Sequence, residues 1–287
     1  MGTWGVGLYA DDEAADLKET LSLMAQMPLD GEGLYDLLLR EADDLIDTEQ
    51  TTFWLVLADQ MEKRGLFNQK VMLRALQIID SGEDIGDLRD REMSESHLKK
   101  RQVILDKLKQ QLLNPRPLRP IKSKSKPPSA VVAVGEVYTY PTMNFKSFNA
   151  WMPAWDTYAG TAHHFVPDGW GALLVVAQGR IFDWFPWCAV IPLTVPPDRP
   201  ATINDVLSSQ ALTPQGALCC LPRKQHLQRM RAECIGKLDL DHEKGNSIIY
   251  TQHPPKFAVI NGWSISSFAL GWRDTYENAV KVKDLLC

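Results

Sequence analysis

Apolar residues return at three- and four-residue intervals through the first 113 positions, and then the period changes. Ala14, Leu17, Leu21 and Met24 share one helical face, with Asp11, Asp12 and Glu13 placed where a helix start favours negative charge. Leu34, Leu37, Leu38 and Leu45 predict a second helix after the Asp30-Gly31-Glu32-Gly33 break. Phe53, Trp54, Leu57 and Met61 predict a third, stopped by Gly65. Asn68 is the expected cap of a fourth, which carries Met72, Ala75, Leu76 and Ile79 and closes at Gly82. Leu98, Leu105, Leu108 and Leu112 predict a fifth that runs to Pro115. No strand-like alternation interrupts them, so residues 1–113 form an all-helical domain.

Beyond residue 128 the pattern is that of strands. Ala130 to Tyr140 is rich in β-branched and aromatic residues and predicts a strand broken at Gly135. Ala172 to Ala177 and Arg180 to Leu193 predict a hairpin turning at Gln178-Gly179, with Pro186 and Pro192 marking the second arm as an edge or a bent strand. Leu221 to Ile235 predicts a helix with Pro222 in its first turn. Short strands follow at Ile248 to Tyr250 and Phe257 to Ile260, and Tyr276 to Leu286 predicts a closing helix. The fold class is therefore α plus α+β: a helical domain, then a small curved antiparallel sheet with packed helices over 129–287.

Charge sharpens this division. Residues 1–113 carry 23 acids and 13 bases, residues 114–128 five bases and no acid, and residues 129–287 thirteen of each. The middle stretch, NPRPLRPIKSKSKPP, also holds five prolines and is expected to be an extended, solvated linker. No apolar run is long enough to span a bilayer, and the opening residues show no basic-then-apolar leader, so a soluble cytoplasmic protein with no membrane partner is expected. Five cysteines at irregular spacing fit neither a disulfide framework nor zinc knuckles, which agrees with a reducing compartment.

Candidate chemistry is sparse. The opening Met1–Gly7 segment sets three glycines around Trp4; with no preceding strand and acids at the helix start, it reads as an anchored terminus rather than a phosphate loop. Adjacent His163 and His164, near Asp156 and Asp168, would point to opposite faces of a strand and suit a polar loop better than a metal. Cys219-Cys220 lies in an apolar setting without a sequence-local base, which favours inert packing. Asp239, Asp241 and Glu243 alternate but lack the pattern of a calcium loop, so a solvated turn is preferred. No catalytic residue, metal or cofactor is assigned. Seven of the nine tryptophans lie in the second half, and Trp184 and Trp187, flanking Phe185-Pro186, are candidate partner contacts. The same stretch lacks the interleaved bases of a single-strand nucleic-acid platform, so no direct nucleic-acid binding is expected.

Two stretches carry a resemblance. The opening MGTWGVGLYADDEAADL is similar to the start of a widespread bacterial domain family of unknown function, over roughly residues 1–90. Val134-Gly135-Glu136-Val137-Tyr138, with the later Ile235-Gly236-Lys237-Leu238-Asp239-Leu240 and Pro254-Pro255-Lys256-Phe257, resembles a predicted polymorphic-toxin immunity family; Glu136 stands for that family's Asp and Asp239 for its proline. The resemblance implies a bacterial cytoplasmic protein that neutralises a toxin. On that reading an acidic helical domain is steered to a basic toxin surface and occludes it. The acidic contacts would be Asp43, Asp44, Asp47 and Glu49 after the second helix, and Asp80, Glu83, Asp84, Asp87 and Asp90 after the fourth. The rival readings are an enzyme of the second half using His163 or His164, which would reverse a toxin's modification, and an adaptor subunit of a bacterial defence system.

Overall fold

The structure is a computed structural model that describes residues 5–41, 47, 48, 50–121, 126–148, 165–211, 218–248 and 279–287. The chain divides into two compact units between Lys126 and Pro127, inside the basic proline-rich stretch.

The first unit is helical, as the periodicity predicts. Helix α1 (Asp12–Met24) is capped by Asp11, whose carboxylate accepts from the Ala14 amide at 2.7 Å. Helix α2 (Gly31–Glu41) begins inside the expected break, because Asp30 caps it and accepts from Gly33 N at 2.8 Å. The two glycines therefore sit in its first turn. Leu45 of the predicted second helix lies outside the described residues. Helix α3 (Thr51–Lys63) is buried from Phe53 through Glu62, on every side, which makes it the central helix of the unit. Helix α4 (Gln69–Ser81) has Asn68 as its cap, with Val71 N donating at 2.9 Å, and ends at a left-handed Gly82 (φ 74°). The acid-rich stretch beyond is a further helix, α5 (Glu83–Asp90), which the sequence reading misses; α6 (Glu95–Leu113) follows. Five of the eight residues of α5 are charged, so its sequence carries almost no apolar stripe.

The second unit is α+β, and every described strand pairing is antiparallel. Strands β1 (Glu136–Met143), β3 (Gly169–Ile181) and β4 (Phe185–Leu193) form its centre. β2 (Lys146–Ser147) and β7 (Glu233–Lys237) share the free side of β1. β5 (Gln210–Ala211) and β6 (Leu218–Cys220) pair with β4, and β8 (Val280–Lys281) pairs with β5. Ala172 through Ala177 are all buried, so both faces of β3 are covered. This explains the unbroken ALLVVA run where a one-faced sheet would alternate. Tyr138, Tyr140, Leu173, Val175, Cys188 and Val190 form one core cluster, with Met230 of α8 (Lys224–Met230) in it. Helix α9 (His242–Ser247) lies against β3 so closely that a Cβ on Gly245 would stand 2.5 Å from the Val176 carbonyl oxygen. A short helix, α7 (Ile203–Leu207), carries a capping box in which Arg199 and then Thr202 hold the Asp205 carboxyl well below the usual carboxylate range.

Several local expectations are corrected. The hairpin turns at Phe182-Asp183-Trp184, with Phe182 and Asp183 at φ 54° and 52°, while Gln178 and Gly179 stay in β3 opposite Cys188 and Trp187. Gly179 is needed there because a Cβ would meet the Trp187 ring at 2.8 Å. The helix expected over Leu221 to Ile235 ends at Met230, where Arg231 turns left-handed (φ 54°) and the chain becomes β7 against the open side of β1. At the carboxy end, Val280–Lys281 is a strand and Val282–Leu285 one 3₁₀ turn, in place of a helix. The strand expected over Ala130 to Tyr140 begins only after Gly135, at Glu136. The strands expected at Ile248 to Tyr250 and Phe257 to Ile260 fall outside the described residues, apart from Ile248, which follows α9.

Candidate binding site

Because α3 is buried all round, its polar residues need partners inside the unit. The Asp59 carboxylate accepts from the Tyr9 hydroxyl and from Lys63 Nζ at 2.7 Å. Burial, followed by the Asp59 contact, raises the Tyr9 hydroxyl above its ordinary range, so it stays protonated. Glu62, at the end of the helix, accepts from Arg116 Nε at 2.9 Å.

Arg116 belongs to the stretch expected to be a solvated linker. Residues 114–121 instead run as an extended strap along the helices. Arg116 Nη1 donates to the Lys63 carbonyl at 2.8 Å, and Arg119 N to the Gly65 carbonyl at 2.8 Å. The Arg119 guanidinium closes the end of α1, donating to Ala25 O at 2.6 Å and Leu29 O at 3.0 Å. Gly65 sits at φ 62°, and a Cβ on it would stand 2.7 Å from Pro117 O. The bases that gave this stretch its polar character are thus partly spent on fastening it.

Between strap and helices lies a cavity of about 370 Å³. Its walls are Ala58 and Met61 of α3, Leu66 and Phe67 of the corner, Val71 and Met72 of α4, Leu112 of α6, and Pro115, Pro117 and Leu118 of the strap. The polar side chains in the lining are Glu62, Asn68 and Arg116, and each is bonded within the chain: Glu62 to Arg116, and Asn68 to the Val71 amide and to Glu32. At the lips, Phe67 is 41% and Leu118 67% exposed. A preformed apolar recess with satisfied polar groups and exposed apolar lips accepts an uncharged, bulky group. The two methionines let its walls adapt to the shape of what enters.

The strap's fastening has a measurable consequence. Arg116→Ala leaves the Glu62 carboxylate, 6% exposed, without its guanidinium. A loss of about 1–3 kcal/mol is expected, since Arg116 itself is half exposed. Chymotrypsin cleavage after Leu118 should then be faster than in the wild type; an unchanged rate would show that the strap is held without this ion pair.

The acidic residues named from sequence have separate fates. Asp43, Asp44 and Glu49 lie outside the described residues, as do Asp156, His163 and His164. Asp47 is exposed and accepts from Gln50 Nε2 at 3.1 Å. Asp80 is exposed but paired with Lys109. Glu83 holds Arg74 through both oxygens, at 3.0 and 2.8 Å, and Asp87 accepts from Thr51 Oγ1 at 3.1 Å. Asp90 is exposed. Asp84 leaves the surface altogether: it is 1% exposed and gripped by Arg101 of α6. Three of the five acids of the second patch are therefore engaged in ion pairs within the unit, and one of them, Asp84, is buried. In α1 the sequence reading names Asp11, Asp12 and Glu13 as helix-start charge, and the structure adds Asp16 and Glu19, with Asp12 and Glu19 exposed and Asp16 half-buried. Asp12, Asp16 and Glu19 of α1 fall at i, i+4 and i+7, one helical face, with Glu13 beside them. Burial and the neighbouring Asp12 raise the Asp16 carboxyl. Their spacing is visible in the sequence.

Among the described residues of the second unit, Trp187, Asp168 and Asp241 have structural roles. Trp187 is 2% exposed, packed over Gly179; Trp184 is half-buried in the hairpin turn, its carbonyl bonded by Arg180. Asp168 holds the β1–β2 turn, accepting from Asn144 N at 3.0 Å. Asp241 caps α9 and accepts from the amides of Glu243 and Lys244, as a turn residue would. Burial, with Arg223 and Arg229 nearby, pushes His226 down to about 4, so its ring is neutral at pH 7. Among the described residues no group of three or more His, Cys, Asp or Glu could hold a metal ion, and no helix is long and apolar enough to cross a membrane.

No family model, no curated protein and no solved structure matches this chain.

Proposed function

We propose that the chain is a binding protein of the immunity type, which neutralises a cognate bacterial toxin by covering its active surface. The observation that carries this reading is the strap-walled cavity with Phe67 and Leu118 exposed at its lips. A buried apolar anchor of that kind supplies affinity in protein recognition, and surrounding charge supplies steering. The first unit keeps a net charge of −5, with Asp12, Asp16 and Glu19 on one face of α1, which favours a partner with a basic surface and one projecting apolar side chain. The resemblance of the second half to an immunity family points the same way.

The test begins with the neighbouring reading frame, which on this reading encodes a toxin module, and titrates that module at about 50 mM and about 500 mM salt. A one-to-one complex whose affinity falls at least about tenfold across that range is expected, because the exposed part of the attraction is screened. Equal affinity at both salts removes the electrostatic part of the proposal, and no complex at either salt removes the proposal itself.

A further inference from the structure

Strand β6 lies beside β4 in a register that sets Cys188 opposite Cys220, Ala189 opposite Cys219, and Val190 opposite Leu218. Directly opposed residues of an antiparallel pair have their Cα atoms about 4.5–5.5 Å apart, inside the separation a disulfide spans. The two Sγ atoms stand 3.6 Å apart, and both side chains are buried, at 1% and 0% exposure. They occupy one core cluster with Tyr138, Leu173, Val175 and Val190, so packing holds the thiols facing one another. The sequence gives no hint of this pair, because its members are 32 positions apart.

We propose that Cys188 and Cys220 are an oxidation site, closing to a cross-strand disulfide in the presence of a two-electron thiol oxidant such as a diazene or a peroxide. With a diazene, one thiol adds across the N=N bond to form an S–N bond. The second sulfur then attacks the first, the S–N bond breaks, and the S–S bond forms. Both thiol hydrogens end on the nitrogens, so the two sulfurs are oxidised and the diazene is reduced to a hydrazine. Access is through β6, which has three residues and pairs only with β4 among the described strands; such short outer strands open locally at little cost. The closed bond ties β6 to the centre of the sheet and restricts the unfolded chain, so the oxidised protein unfolds at a higher temperature.

The experiment treats the full chain with diamide and maps its peptides without reduction. The expected result is a Cys188–Cys220 linked peptide, a mass lower by two hydrogens that dithiothreitol restores, and an unfolding midpoint higher by about 5 °C or more. Cys219→Ser keeps the link, and Cys188→Ala and Cys220→Ala each lose it. The wild-type map decides the matter even if an alanine variant folds poorly. Exposed Cys234 and Cys287 report that the oxidant is active. Their modification without a Cys188–Cys220 link, or a link through Cys219 in place of Cys220, overturns the proposal.

Discussion

Replacing Arg101 with methionine should destabilise the helical unit by about 3–5 kcal/mol, the largest single loss expected outside the apolar core. Arg101 and Asp84 are 6% and 2% exposed and meet through two hydrogen bonds, Nε to Oδ2 at 2.9 Å and Nη2 to Oδ1 at 2.8 Å. The remaining nitrogen, Nη1, donates to the Gly7 carbonyl at 2.7 Å, so one side chain ties α5, α6 and the segment before α1 together. Methionine fills similar volume but leaves a carboxylate in a medium that solvates it poorly. The penalty comes mainly from that orphaned charge, not from lost attraction. Accordingly Asp84→Leu combined with Arg101→Met should recover most of the loss, since neither charge is then buried alone. Urea unfolding of the single and double variants measures this. A single variant within about 1 kcal/mol of wild type would show that water reaches the pair.

The second large effect comes from a single methyl group. A Cβ on Gly31 would stand 1.9 Å from the Phe67 carbonyl oxygen, 2.4 Å from its carbon and 2.7 Å from its nitrogen. All three are backbone atoms, so no rotamer change relieves the overlap. Gly31→Ala should cost about 3 kcal/mol or more, by forcing α2 away from the corner between α3 and α4. That corner carries Phe67, so the same change should also distort the lip of the cavity. Gly86→Ala is the matched control. Gly86 lies within α5 with nothing within 4 Å of its would-be Cβ, and the substitution should stabilise by about 0.5–1 kcal/mol through helix propensity. Opposite signs for one chemical change would place the cause in packing. Equal small effects would contradict the close approach of α2.

The cavity was only half legible in the sequence. Met61, Met72 and Leu112 declare themselves through helical spacing, and Asn68 and Gly65 mark the corner they surround. The fourth wall comes from Pro115, Pro117 and Leu118, in a stretch whose prolines and bases describe a solvated linker equally well. What decides between the two is Glu62, some fifty positions earlier: a carboxylate on a helix buried all round must draw in a base, and Arg116 answers it. Such pairings over long separations leave no local pattern. The same limit hid α5, whose acids look like a surface patch until Arg101 and Arg74 are brought beside them. In the second unit Gln178-Gly179 has turn composition, yet Gly179 serves a ring across the sheet rather than a bend. Helix starts fared better, because a cap and its helix are neighbours in sequence, as Asp11 and Asn68 show.

The central claim is that the strap-walled cavity is where a partner protein is anchored. Leu118→Asp tests it most directly, because Leu118 is 67% exposed and its replacement should leave folding intact. Calorimetric titration of the proposed toxin partner should give an affinity at least about thirtyfold weaker for this variant than for wild type, the loss expected of an anchor residue, with an unchanged unfolding midpoint. Wild-type affinity retained by both Leu118→Asp and Phe67→Asp would contradict the claim.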